Sequence, residues 1–283
     1  MSHQLAGLRL NTGELWVVLN ELNLGGGLLG AEGALVAHSD PDRTAMLRDG
    51  RATLLARGLL RVNGEGRLTL ADEPRALIAR SAHPDAAVWL MRTSGAGSPA
   101  QVYVALNPDG GVAYRPDVSG VHDFVPIPDA NTLAALTLAE MSGLPACEGL
   151  RPRVWLAPTA ILGPVAEGTE AGDGDNANVN ALVGCGFSEA DASGFIQAVA
   201  EAELRGALTG FALGRAGISL TWLGHAGAIW TIRLDGESGL SLLRRCGGEA
   251  ARQQAAAIAA DIAGRVWPSR CLLYTSDAAD EEG

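Results

Sequence analysis

Residues 25–30, GGGLLG, match the G-x-G-x-x-G spacing by which a glycine-rich turn lets the backbone approach a dinucleotide pyrophosphate. That chemistry needs a strand before the turn, a helix after it whose amides face the phosphates, and a later acid for the ribose. Here the stretch follows a helical pattern and opens into loop, so it reads as a helix terminator. The five histidines, His3, His38, His83, His122 and His225, lie in separate segments with no H-x-x-x-H or H-x-H spacing. His122 beside Asp123 could suggest a metal or base pair; a partly exposed strand residue next to a turn acid is the expectation. No G-x-S-x-G elbow is present to expose a nucleophilic serine. DGDN at 173–176 begins like a calcium loop, but the glycine at position six and the glutamate at position twelve are missing, so it reads as linker.

All 21 basic residues are arginine, which excludes chemistries that need a lysine amine: a Walker A loop, a protein-kinase site, a Schiff base. Trp16, Trp89, Trp155, Trp222 and Trp230 fall within core-like segments and are expected to pack there, not to cage a ligand. Trp89 and Trp230 are expected on buried central strands at corresponding positions of two halves. No catalytic residue, cofactor site or metal site is assigned. The weight shifts from catalysis to binding.

The end of the chain changes the charge count. Residues Cys271 to Glu281, CLLYTSDAADE, resemble one translated reading frame of the reverse-complemented adapter used in transposase-based sequencing libraries. The resemblance implies that 271–283 are foreign and that native sequence continues past Arg270. Deleting them is then expected to move the thermal midpoint by less than about 2 °C. Setting aside Asp277, Asp280, Glu281 and Glu282 leaves 28 of the 32 acids against 21 arginines, a body charge of about −7. A phosphate-tracking surface needs clustered positive charge, so nucleic acid is not an expected partner. Cys147, Cys185 and Cys246 are scattered without a C-x-x-C pair and read as buried thiols of a cytosolic protein. The first residues lack the basic-then-apolar order of a signal peptide, and no run nears the roughly 18 apolar residues of a membrane helix. A cytoplasmic, globular protein without membrane insertion is expected.

Along the chain, 12–24 reads as an amphipathic helix capped by Thr12, with Leu15, Leu19 and Leu22 on one face. A second helix runs from Asp40 to about Arg57, stopped by Gly58. LLRVNGEGRLTL alternates on either side of an NGEG turn, a hairpin, and 72–82 returns to helix. Helix, hairpin, helix is a winged-helix outline, with a structural role favoured over DNA reading. Apolar runs at 86–93 and 101–106, then 111–115 and 121–127, form a meander ahead of a helix over 129–142.

The second half repeats the order. An extended segment at 153–162 and a glycine-rich acidic loop at 163–178 precede a helix from Ser188, where S-x-x-D places Asp191 for a capping box. Strands follow at 207–213, 218–224, 228–234 and 239–245, then a helix at 248–263. Loops this short demand antiparallel pairing. The expected fold is α+β: two similar halves, each helices plus an antiparallel β-meander, forming a central sheet flanked by helices. Residues 1–150 make the N-terminal half, 151–270 the C-terminal half and 271–283 the tail.

LNTGELWVVLNEL (10–22), LLARGLL (54–60), DEPRALIARSAHPDAAVWLMR (72–92) and GFSEADASGFIQAVAEAELRGALTGFAL (186–213) together resemble the EspG chaperones of ESX (type VII) secretion. That family shows an L-x-x-x-E-L-W helix, an A-R-G-L helix end, an R-P or H-P before the first sheet strand, and a G-x-x-x-x-D-A helix start. Residues 8–263 are covered. The chain departs in GGGLLGAEG, which replaces a proline-rich segment, and in RLDGESG, which only partly echoes a late D-G-R stretch. The resemblance implies a quasi-twofold α+β fold and a non-enzymatic cytosolic chaperone that binds the apolar tip of a secreted helical substrate pair. The alternatives are an adaptor or regulatory module with a winged-helix-like N-terminus, and an enzyme with an unrecognised site. Hairpin loops at a rigid sheet's edge carry contact surfaces. The candidate is the loop Ser94, Gly95, Ala96, Gly97, Ser98 and Pro99, whose small residues admit close approach by a partner.

Overall fold

The computed structural model describes residues 7–24, 28, 31, 40–94, 99–117, 119–147, 150–162, 174–215, 217–235 and 238–267. GGGLLG lies outside them except for the buried Leu28, as does the 271–283 tail. Strand β1 (Leu8–Asn11) runs directly into helix α1 (Thr12–Glu21). The cap is Asn11, one residue before the expected Thr12. Its side chain accepts from the Glu14 N–H at 2.8 Å while its own N–H donates to the Glu14 carboxylate at 2.9 Å. Helix α2 (Asp40–Ala56), hairpin β2 (Leu60–Val62) with β3 (Leu68–Leu70), and α3 (Asp72–Ala82) give the anticipated helix–hairpin–helix. Gly58 takes φ of +68° just past α2, the left-handed conformation that ends helices.

The first meander is β4 (Ala86–Ser94), β5 (Ala100–Asn107), β6 (Gly110–Pro116) and β7 (Val121–Ile127), followed by α4 (Ala130–Glu140). Then come β8 (Arg153–Pro158), α5 (Gly174–Gly184) and α6 (Glu189–Glu201). The second meander is β9 (Leu204–Ala212), β10 (Ile218–His225), β11 (Ala228–Asp235) and β12 (Leu240–Cys246), closed by α7 (Gly248–Val266). Helix α5 corrects the sequence reading, which carried the loop to residue 178 and took DGDN as linker. At the start of α6, the Ser188 hydroxyl accepts from the Asp191 N–H at 3.2 Å, but the Asp191 carboxylate turns to Arg153 and Arg245 instead of completing a capping box.

All ten meander and edge strands join one antiparallel sheet in the order β1-β7-β6-β5-β4-β9-β10-β11-β12-β8. Read outward from the β4–β9 junction, each side is a four-strand meander completed by an edge strand that precedes it in the chain. The class is α+β, a central sheet flanked by helices. Side chains alternate across the strands, and three cores result. On one face, α4 and α7 pack side by side under the sheet centre, with Val88, Leu90, Leu208, Leu220 and Trp222 against Leu133, Ile258 and Ile262. On the other face, α1, α3 and the hairpin cover β6 and β7 through Leu15, Leu77, Ile78, Val112, Tyr114 and Phe124. On that same face α5 and α6 cover β11 and β12 through Leu182, Phe195, Trp230 and Leu243.

Two expectations about single residues change here. Trp230 is buried on β11, but Trp89 lies on β4 and is 37% exposed. The two tryptophans do not correspond, because β4 is the innermost strand of its meander and β11 the third of the other. His122 is 1% exposed, not partly exposed, because β7 is roofed by α1.

Candidate functional site

Among the described residues, the second face of the sheet is covered at both ends and left bare in the middle. Even-numbered residues of β4 and β9, such as Val88, Leu90 and Leu208, point to the α4–α7 core, so their odd-numbered neighbours point the other way. Between the α1–α3 cover and the α5–α6 cover lie Trp89, Met91, Tyr103, Ala207, Thr209 and Phe211, half-buried or exposed. Cross-strand register sets them as a lattice: Trp89 opposes Tyr103 on one side and Thr209 on the other, and Ala87 opposes Phe211. Trp89 stacks on Tyr103 with centroids 5.8 Å apart and planes within 5°. The row continues inward through Tyr114, 6.1 Å from Tyr103, to Phe124, 4.8 Å from Tyr114.

Each ring therefore leans on one more deeply buried. Trp89 cannot easily fold away, and it presents a fixed apolar face at an opening where Phe211 is 41% exposed. A cavity of about 70 Å³ opens beside them, walled by Leu28, Val112 and Tyr114. The strip carries rigid aromatics, one adaptable methionine and the hydroxyls of Tyr103 and Thr209. What it can do is bury an apolar partner surface.

The predicted contact loop leaves the sheet at the end of this strip. Ser94 is the last residue of β4 and pairs with Leu204, and Pro99 is exposed ahead of β5. Gly95, Ala96, Gly97 and Ser98 lie outside the described residues. Trp89, Tyr103 and Phe211 were missed as surface residues because each sits in a run apolar enough to read as core. The available signal was alternation: a β4 buried on both faces does not need Trp89 flanked by Val88 and Leu90 on the opposite side.

The remaining polar clusters are structural pins. Glu14, 2% exposed, receives two hydrogen bonds of 2.8 Å from Arg57, which also donates to the Arg9 carbonyl at 2.8 Å, so α2 is tied to the start of α1. His122 stands between the Tyr114 hydroxyl at 2.8 Å and the Thr12 hydroxyl at 3.2 Å. Burial lowers its pKa, with the Asp123 carboxylate opposing that shift. Cys246 is buried in the central core, which raises its thiol pKa, and Cys147 packs against the same core. Among the described residues no three His, Cys, Asp or Glu side chains converge as a metal site, and no helix is long and apolar enough to cross a membrane.

No family model and no curated protein sequence matches this chain. Among solved structures, the fold is similar to one described as the Mycobacterium tuberculosis type VII secretion system chaperone EspG5 in complex with the PE25–PPE41 dimer. The likeness has a TM-score of 0.60 at 14% identity, over 93% of this chain and 97% of that one. At that identity it is a likeness of fold.

Proposed function

We propose that this chain is a non-enzymatic, cytoplasmic chaperone of a type VII secretion system that shields the apolar tip of a secreted helical pair. The contact surface in this reading is the bare strip around Trp89, Tyr103 and Phe211, with the Ser94–Pro99 loop at its end. The observation that carries it is the exposure of two large stacked or neighbouring aromatics, Trp89 and Phe211, at the centre of a sheet whose face is otherwise roofed. A rigid aromatic patch in a trough is the kind of surface that anchors protein partners. The fold likeness to a type VII secretion system chaperone in complex with the PE25–PPE41 dimer supports the same assignment. A protein-docking adaptor is the second reading, favoured by the outward-facing Val62 and Leu55 of the helix–hairpin–helix, 60% and 40% exposed.

Calorimetric titration with a secreted helical pair co-encoded with this chain tests the assignment. Trp89→Asp and Phe211→Asp each place a carboxylate that must be desolvated on contact, and each is expected to weaken binding by about 2 kcal/mol or more, roughly thirtyfold. Gly95→Asp with Gly97→Asp tests the loop in the same way. Full affinity in a folded Trp89→Asp variant would remove the strip from the interface. Loss of binding on Val62→Asp alone would favour the adaptor.

A further inference from the structure

We infer that the open edge of β8 is a docking site for an extended acidic segment of a partner protein, which would add one more strand to the ten-stranded sheet. The two edges of that sheet differ. On β1, Leu8 and Leu10 lie opposite Phe124 and His122, and the Thr12 N–H continues the ladder to the Gly120 carbonyl at 3.0 Å. The backbone groups of Arg9 and Asn11 therefore point outward. The chain covers them itself: Arg57 donates to the Arg9 carbonyl at 2.8 Å, and the Asn11 N–H donates to the Glu14 carboxylate at 2.9 Å.

On β8 the outward groups have no such cover. The Thr159 N–H donates to the Gly239 carbonyl at 3.0 Å, and the same register sets Ala157 opposite Ser241 and Trp155 opposite Leu243. Odd-numbered residues thus direct their N–H and C=O groups to β12, and those of Val154 and Leu156 face away from the sheet. Among the described residues nothing bonds to them. Pro152 and Pro158, the next outward positions on either side, have no N–H, so the open stretch is closed off at both ends. The side chains of Val154 and Leu156, 51% and 62% exposed, share a face with Leu242 and with Leu240, 43% exposed. Strand addition uses both features, backbone bonds for affinity and alternate apolar side chains for register. Charge selects the occupant. On that same face Arg244 lies opposite Val154, and Arg233 lies opposite Leu242, behind Leu156. Arg151 is exposed just ahead of the strand. Arg153 and Arg245 are paired with Asp191, but none of these other three arginines is ion-paired among the described residues, in a chain of net charge −11. A second copy pairing β8 with β8 would bring the arginines together. A strand with two apolar residues at alternate positions and acids on either side complements both the face and the charge. The edge shares no strand with the bare strip at the sheet centre.

The test is binding of a short fluorescent peptide to the full chain, read by anisotropy. The peptide alternates valine and threonine between two acidic ends and is acetylated and amidated. One companion peptide carries lysines in place of the acids. The other is methylated at the valine amide nitrogens, which removes the ladder donors and keeps the side chains. Saturable one-to-one binding of the acidic peptide, at least tenfold tighter than either companion, supports the site. Leu156→Pro removes an outward N–H without touching the bonds to β12, and Val154→Asp sets a carboxylate against the acidic strand. Each is expected to weaken binding at least tenfold. Arg244→Gln is expected to weaken the acidic peptide and not the lysine one. Val154 is 51% exposed, so its variant keeps the test intact should Leu156→Pro fail to fold. No saturable binding, equal binding of the methylated peptide, or undiminished binding by a folded Val154→Asp overturns the inference. So does a dimer of the free chain that Val154→Asp dissociates, because the edge would then belong to a second copy.

Discussion

Gly206 sits midway in the sheet, opposite Trp222 of β10 and Arg92 of β4. A Cβ at this position would lie 2.1 Å from Cζ2 and 2.3 Å from Cε2 of the Trp222 indole, and 2.6 Å from the carbonyl oxygen of Met91. The indole is 1% exposed and wedged in the central core, and Met91 O belongs to the neighbouring strand, so neither can withdraw without disturbing the β4–β9 junction. Two effects compete when Gly206 becomes Ala. The backbone entropy and strand propensity favour Ala by about 0.5–1 kcal/mol. Overpacking a closed core costs about 1–3 kcal/mol, and a clash with both a ring and a backbone belongs at the upper end. The net expectation is a loss of about 2 kcal/mol, a fall of roughly 4–8 °C in thermal midpoint for a chain of this size. Gly264, exposed on α7 with nothing within 4 Å of its virtual Cβ, is the control. Gly264→Ala is expected to stabilise by about 0.5–1 kcal/mol. Urea unfolding followed by far-ultraviolet dichroism measures both. A Gly206→Ala variant as stable as the parent would refute the assigned register of Trp222.

The burial of His122 has a pH signature. Its pKa is lower when folded than the ordinary value, so below about pH 6.5 the unfolded chain binds the extra proton and stability falls as pH drops. His122→Asn should flatten the decline in thermal midpoint between pH 7 and pH 5; an unchanged slope would assign it to other groups. Arg57→Met strands the buried Glu14 carboxylate and is expected to cost about 2–3 kcal/mol in chemical denaturation, less than a fully enclosed pair because Arg57 is 38% exposed. Trp230→Ala is expected to cost about 3–5 kcal/mol as a core cavity. Trp89→Ala should cost clearly less, and equal losses would show that the strip is more enclosed than described.

Much of the architecture was legible because local chemistry and tertiary packing agree. Gly58 ends α2 with φ above zero, and Ser188 caps α6, each without help from distant residues. What could not be read was decided by distant partners. LRLN is too short to announce a strand, and it becomes one because Leu8 and Leu10 oppose Phe124 and His122 on β7. Asp191 has the spacing of a capping residue, yet two arginines from β8 and β12 claim its carboxylate. The site was the least legible part. Whether Trp89 is core or surface depends on where α1, α3, α5 and α6 stop covering the sheet, which no window of sequence around residue 89 records.

The two edge strands have a consequence for the order of assembly. β1 is made first, but its ladder partner β7 emerges only after α1, α2, α3, the hairpin and three meander strands. β8 likewise waits for β12. The N-terminal sheet can therefore close on its own, while β4 keeps one edge unpaired until β9 arrives, and Leu133 of α4 lacks its cover from α7. Such pairing across long stretches of chain is slow, and open edges with bare apolar faces invite wrong partners. A ribosome paused between α4 and β9 would be holding an unfinished sheet whose inner edge is ready to accept any extended strand within reach.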